Sequence, residues 1–269
     1  MMFDVKDRIA VITGGYGVLG SSMARCLARQ GAKIVILGRQ AEKGEKLVEE
    51  LKALGTEAYF GKADVLNKAE VERVCAAVVQ LWGRVDILIN AAGGNKTGAT
   101  IAPGQTILDM DIDAYQQVLD LNLKGTVIPT LVFGAQMARQ KKGSIINISS
   151  MTAQSVVTRV VGYSSAKAGI DNFTKWVAVE FARKFGEGIR VNAIAPGFFI
   201  TEQNRTLMTQ PDGSYSERAK DVIRATPFGR LGKAEELNGA VVFLASDDSS
   251  FMTGTILPVD GGFSIFSGV

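Results

Sequence analysis

The stretch RIAVITGGYGVLG, residues 8–20, decides the fold. It starts as a short apolar run, Ile9 to Ile12, and breaks abruptly into glycine. Such a run bounded by a turn signal reads as a buried strand. Apolar side chains then recur at helical spacing through residues 18–30. A strand, a glycine turn and a helix in that order place a helix N-terminus and free backbone N–H groups where an anion can meet them. Gly15, Gly17 and Gly20 fit the spacing G-x-G-x-x-G. Thr13, Gly14 and Gly20 fit a second one, T-G-x-x-x-G-x-G, except that Val18 stands where its middle glycine belongs. Glycine turns without a ligand are common, so the rest of the chain must decide.

Outward from this stretch the strand and helix signals alternate. Apolar runs at KIVIL (33–37), EAYFG (57–61), VDILIN (85–90), SIINIS (144–149), IRVNAIA (189–195) and TILPVD (255–260) predict further strands. Amphipathic segments at 41–54, 67–82, 113–141, 161–185 and 234–246 predict helices between them. Strands apolar on consecutive residues are buried on both faces, which argues for a parallel sheet. The expected fold is α/β: a single-domain, Rossmann-type doubly wound parallel sheet of about seven strands with helices on both faces, spanning residues 1–269. Such sheets bind ligands beyond the carboxyl ends of their strands. Two irregular excursions, near 93–111 and 201–226, are expected to form substrate loops.

Composition narrows the chemistry. The chain has 269 residues, 30 Lys and Arg against 27 Asp and Glu, and no histidine. Ser-His-Asp triads and His-ligated metals are therefore excluded, and no metal site is expected. Proton chemistry near neutrality must use Tyr, Lys, Cys, Asp or Glu with shifted pKa values. The net charge of +3 and the lack of a Lys/Arg run argue against nucleic acid. Cys26 and Cys75 read as small buried apolar residues. With no signal peptide in the sequence, they suggest a reducing cytoplasm. Uncharged stretches such as GTVIPTLVFGAQMA are short for a bilayer and contain Pro129, so no membrane partner is expected.

At the end of the second strand a dinucleotide site often carries an acidic residue for the ribose hydroxyls. Here Gly38 takes that place and Arg39 follows. A guanidinium there could pair with a 2′-phosphate, which tips the choice slightly from NAD(H) toward NADP(H). The rival reading is a solvated surface arginine.

The sharpest signal is YSSAK, Tyr163 to Lys167. Four residues apart on a helix, the phenol and the ammonium share a face. A nearby positive charge stabilises a phenolate and is expected to lower the tyrosine pKa. Ser150 lies thirteen residues upstream, at the end of strand SIINIS, where a hydroxyl could bond a substrate oxygen.

Together TGGYGVLG, Asp64-Val65, NAAG (90–93), NLKG (122–125), the Ser150 to Tyr163 interval, YSSAK and PGFFIT (196–201) resemble the short-chain dehydrogenase/reductase family, in order over essentially the whole chain. The resemblance implies that Tyr163 exchanges the proton at the reacting oxygen and that Lys167 holds the nicotinamide ribose. It implies that Ser150 orients the substrate oxygen and that Asn122 interrupts its helix to hold a water of the proton relay. Gly14, Tyr16, Gly17, Val18, Leu19 and Gly20 would wrap the pyrophosphate. Asp64 and Val65 would meet the adenine, and Asn90, Ala91 and Gly93 would line the cofactor. Pro196, Gly197 and Thr201 would contact the nicotinamide end. Asn90 could equally tie the sheet together. The family resemblance also suggests a homotetramer.

The excursions offer Asn95, Lys96, Gln203 and Arg205, and Arg159 lies four residues before Tyr163. A polar, cationic set of this kind suits a polyhydroxy carboxylate, unless some of these charges face solvent. NAAGGNKTGAT, NISSMTA, TRVVGYSSAK, PGFFITEQNRTL and the ending VDGGFSIFSGV resemble the D-mannonate oxidoreductase (fructuronate reductase) branch of the family. That implies a sugar acid interconverted between alcohol and ketone. Gluconate 5-dehydrogenase is the alternative, and 3-oxoacyl-carrier-protein reductase a more distant one.

Overall fold

The apolar run of the opening stretch is strand β1, Ile9–Thr13, buried at every residue. The computed structural model describes residues 2–202 and 204–268. Among these, the other strands are β2 (Lys33–Gly38), β3 (Ala58–Lys62), β4 (Ile87–Asn90), β5 (Gly143–Ile148), β6 (Ile189–Pro196) and β7 (Ile256–Val259). The helices are α1 (Val18–Arg29), α2 (Ala41–Ala53), α3 (Lys68–Trp82), α4 (Ile112–Leu119), α5 (Gly125–Gln140), α6 (Val161–Phe185), α7 (Arg205–Met208), α8 (Glu217–Ala225) and α9 (Asn238–Ala245).

The strands form one parallel sheet in the order β3-β2-β1-β4-β5-β6-β7. Chain order reverses between β1 and β4, which opens a crevice at their carboxyl ends. Register sets the rim of that crevice: Thr13 lies beside Asn90, and Asn90 beside Asn147.

Each face of the sheet carries its own core, as alternating strand residues require. Ala10, Ile12, Ile34, Ile36, Ile87 and Ile89 pack with Met23 and Leu27 of α1, Leu47 and Leu51 of α2, and Val241 and Leu244 of α9. Ile9, Val11, Val35, Leu37 and Leu88 point the other way, against Val74 and Val78 of α3, Phe133 and Met137 of α5, and Val177 of α6. The two-sided burial predicted from continuous apolar strands is what the sheet shows. Local signals agree: Asn67 caps α3 by accepting from the Glu70 N–H, and Gly83 ends it in the left-handed region at φ 80°.

Three elements differ from the sequence reading. The helix expected over 113–141 is interrupted by a π turn at Asp120–Lys124. The run Ile112–Gln140 has 29 residues and is long and apolar enough to cross a bilayer by length and composition alone, but half of its most apolar window is buried in the fold. The excursion at 201–226 contains α7 and α8. Ser216 caps α8 by accepting from the Ala219 N–H, and Ala219 and Val222 close a small core with Met208 and Leu231. The helix expected over 234–246 begins as a 3₁₀ turn, Ala234–Leu237, and is α-helical only from Asn238.

Both cysteines are free, Cys75 buried and Cys26 partly so. Burial pushes the Cys75 thiol up to about 11 and raises Cys26 as well, so both are poor thiolates.

Candidate active site

The crevice begins at the glycine turn. Gly14 adopts φ +61°, and a Cβ there would lie 2.8 Å from the Cα of Ala92. A Cβ on Gly20 would lie 2.8 Å from the Gly14 carbonyl oxygen. These two glycines let β1, the start of α1 and the loop after β4 touch. Gly17 caps α1 without any side-chain hydrogen bond, and Val18 and Leu19 form its first turn. The first N–H groups of the helix thus have no side-chain acceptor, which suits an anion. Thr13 Oγ1 accepts from the N–H groups of Ala91 and Ala92, both at 3.1 Å, and holds the far wall of the crevice.

At the edge of the sheet, Tyr16 Oη accepts from the N–H groups of Arg39 and Gln40 at 3.1 and 3.2 Å. The Arg39 guanidinium lies 3.6 Å from Asp64 Oδ2 and is largely exposed. Asp64 Oδ1 also accepts from the Leu66 N–H at 2.9 Å. Val65 is buried against Gly125, where a Cβ would come within 3.0 Å of it. Asn90 ties the sheet to its helices: its Nδ2 donates to Thr130 Oγ1 and to Asn147 Oδ1, and Asn147 donates onward to Thr174. On the opposite side Pro196 ends β6, Gly197 packs against Asp260, and Thr201 donates its N–H to Asn204 Oδ1 at 2.8 Å.

The expected catalytic residues converge. Asn122 sits on the π turn and is fully buried. Its Nδ2 donates to the carbonyls of Val118 at 2.8 Å and Gly94 at 2.6 Å, and its Oδ1 accepts from the Gly94 N–H at 3.0 Å. The side chain takes the Val118 carbonyl that a regular helix would bond to a backbone N–H, and it clamps the loop after β4. A Cβ on Gly93 would lie 2.6 Å from Asn122 Oδ1 and 3.5 Å from Lys167 Nζ, so Gly93, Asn122 and Lys167 meet at one point. Lys167 Nζ donates to the Ile148 carbonyl at 2.7 Å and stands 5.3 Å from the centre of the Tyr163 ring. Ser150 opens a 3₁₀ turn and accepts from the Thr152 N–H at 3.2 Å.

The electrostatics correct one expectation. Burial pushes the Tyr163 phenol up to about 12, and a hydrogen bond with Ser150 draws it only partly back. The nearby amine does not bring it below its ordinary value, because the same burial works on both groups. Burial pulls Lys167 down to about 8, against the opposing pull of the Asp171 carboxylate. In the protein alone the site holds a firmly protonated phenol beside an ammonium that is easily discharged.

Sequence reasoning missed Asp171. It lies one turn beyond Lys167 on α6, is buried, and accepts from Ser149 Oγ, the neighbour of Ser150. Burial raises its carboxyl, while Ser149, Gln154, Lys175 and Lys167 hold it down. The spacing 163, 167, 171 repeats one helical face and was the available signal.

The substrate residues are less gathered. Asn95 Nδ2 donates to Thr100 Oγ1 at 2.8 Å, and Lys96 donates to Gln117. Arg159 has φ +77°, and its Nε donates to the Ile101 carbonyl at 2.7 Å. Arg205 is exposed on α7, and Gln203 lies outside the described residues. Arg218 of α8, also unforeseen, donates to the Thr158 carbonyl at 3.1 Å; burial first and the nearby Arg159 charge second lower its pKa, against the pull of the Asp221 carboxylate. Among the described residues no carboxylate lies within ion-pair distance of Arg159 or Arg218.

A glycine cradle at the switch point of a doubly wound sheet, opening toward a partly buried Tyr163 and a buried Lys167, defines a nucleotide-dependent enzyme fold. Comparison with known proteins narrows this. A family model described as enoyl-(acyl carrier protein) reductase matches residues 17–264. The oxidoreductase UxuB of Bacillus subtilis, itself uncharacterised, is 46% identical, the match covering 99% of this chain and 98% of that protein. The crystal structure of a Haemophilus influenzae protein provisionally named D-mannonate oxidoreductase, with bound NAD, superposes with a TM-score of 0.92 at 40% identity, covering 99% and 98% of the two chains. A gluconate 5-dehydrogenase from Burkholderia cenocepacia, in complex with NADP and tartrate, superposes with a TM-score of 0.86 at 32% identity, covering 97% of each chain. The chain belongs to the short-chain dehydrogenase/reductase family. It is an oxidoreductase that acts between alcohol and ketone and uses a nicotinamide cofactor.

Proposed function

We propose that the protein interconverts the alcohol and ketone forms of a sugar acid, D-mannonate and D-fructuronate first among them. The observation that carries the sugar-acid reading is the Arg159 and Arg218 pair, two guanidiniums near the start of the catalytic helix; among the described residues neither forms an ion pair, and burial and the Arg159 charge outweigh the pull of the Asp221 carboxylate on Arg218. Two cations that repel each other until an anion arrives are suited to a substrate carboxylate. The likeness to the Haemophilus protein supports the particular acid.

The cradle formed by Gly14, Gly17 and Gly20, with its open helix N-terminus, fits a pyrophosphate. When bound, the nicotinamide supplies or accepts the hydride. The protein manages the proton. Tyr163 is the acid in the reducing direction, and its high pKa keeps it protonated until it meets the substrate oxygen. Ser150 holds the substrate oxygen against the phenol. Lys167, anchored by the Ile148 carbonyl, offers its remaining protons to the cofactor ribose and places a positive charge near the tyrosine. Asn122 fixes the floor between them. We infer that Asn95, Lys96 and Arg205, on the excursions at 93–111 and 201–226, contribute to the substrate walls. We place the single-domain chain in a homotetramer in the cytoplasm.

The test is a panel of D-fructuronate, 5-ketogluconate and a neutral ketose, each with NADH and NADPH, on wild type and Arg218→Met. D-Fructuronate should give the highest kcat/KM, and Arg218→Met should raise KM for it about tenfold or more while leaving the neutral ketose unaffected. A preference for 5-ketogluconate would transfer the assignment to gluconate 5-dehydrogenase. Equal use of the neutral ketose would end the sugar-acid reading.

A further inference from the structure

Tyr16, between two glycines of the opening stretch, turns its ring onto Gly38. A Cβ on Gly38 would come within 2.3 Å of the ring carbon Cε1. No side chain, acidic or otherwise, fits at the end of β2 while Tyr16 occupies that place. The absence of an acidic residue there and the presence of Tyr16 are one feature seen at two positions.

The phenol oxygen accepts from the N–H groups of Arg39 and Gln40, the two residues leading into α2. Two backbone donors backed by the positive end of a 13-residue helix are what a ribose phosphate would otherwise use. Accepting both bonds leaves the phenol with its O–H to donate. That proton suits the oxygen of a ribose hydroxyl. The surrounding cations mostly face carboxylates: Arg39 faces Asp64 at 3.6 Å, Arg25 faces Glu50 at 2.8 Å, and Lys43 faces Glu202 at 3.9 Å. Lys46 also lines the cleft beside Tyr16.

We propose that Tyr16 is a specificity-determining residue for the dinucleotide: its phenol replaces the acidic residue at the end of β2, contacts the unmodified ribose of NAD(H), and occupies the backbone donors that the 2′-phosphate of NADP(H) would need. The proposal rests on the reading of the glycine cradle as a nicotinamide dinucleotide site. It runs against the preference that Arg39 alone would suggest, and the two separate experimentally.

The experiment measures the Kd of NADH and of NADPH by quenching of protein fluorescence, with no substrate present, for the full chain, Tyr16→Phe and Arg39→Ala. Wild type should bind NADH at least tenfold more tightly than NADPH. Tyr16→Phe keeps the ring on Gly38 and releases the two N–H groups, so the ratio should fall about tenfold through tighter NADPH binding. Equal Kd values in wild type, or an unchanged ratio in a Tyr16→Phe protein with normal Tm, would overturn the proposal. So would a wild-type preference for NADPH that Arg39→Ala abolishes. If Tyr16→Phe does not fold, the wild-type ratio and Arg39→Ala still decide. Binding of neither dinucleotide would remove the cofactor reading itself, and the proposal with it.

Discussion

Lys167→Met should make the protein more stable at neutral pH while disabling it, and the gain should disappear in alkali. The Lys167 amine is held at about 8 against an ordinary value of 10.5, because burial disfavours its charge. Its folded-state pKa lies below its unfolded one. For a base this is a cost of folding, fully present below about 8 and relieved as pH rises toward 10.5. At about 1.36 kcal/mol per tenfold change in the proton equilibrium, the cost near pH 7 is on the order of 3 kcal/mol, and near pH 9.5 roughly half of that. Methionine has a similar length and no charge, so it escapes this cost. It leaves the Ile148 carbonyl without its 2.7 Å donor, a loss of about 1–2 kcal/mol. The net gain is then about 1–2 kcal/mol at pH 7 and close to nothing at pH 9.5. For a chain of this size that corresponds to a Tm higher by roughly 2–4 °C at pH 7. Thermal unfolding of the cofactor-free wild type and variant, followed by circular dichroism at pH 6.5 and 9.5, reads both values. A Tm lowered by the same amount at both pH values would show that Lys167 carries no buried-charge cost, and would refute the reasoning.

Tyr163→Phe should lower kcat by about 10²–10⁴, the usual worth of a positioned acid, while NADH binding stays measurable; retention of a substantial fraction of wild-type turnover would remove Tyr163 from the proton step. Asp171→Asn withdraws the carboxylate that helps keep Lys167 charged. Lys167 should then lose its proton at lower pH, and the alkaline limb of the kcat/KM profile should move toward neutrality. An unmoved limb with lowered stability would make Asp171 structural only.

Much of the site was legible in advance because the chemistry depends on local spacing. Tyr163 and Lys167 share a face by helix geometry, and Ser150 sits at a strand end that the apolar run of β5 announces. Asn122 differs. Its role needs a π turn, and the turn exists because the side chain captures both the Val118 carbonyl and the loop at Gly94, 28 residues away. Periodicity over 113–141 therefore read as one helix. α8 was passed over because its buried face is small, Ala219 and Val222, and gains meaning only against Met208 and Leu231. Arg218 went with it.

By itself the sequence determined the strands of the sheet, the helices between them apart from α7 and α8, and the spacing that sets Tyr163 and Lys167 on one helical face. Two-sided burial writes itself into consecutive apolar residues, and a helix repeats every 3.6 of them. The tertiary structure alone decided the ionisation of those side chains. Burial pushes the Tyr163 phenol up and the Lys167 amine down, and burial is a property of everything packed around them. It decided too that Tyr16 lies on Gly38. Those residues stand 22 positions apart, and they meet only because β1 and β2 pair in parallel and bring the glycine turn beside the end of the next strand.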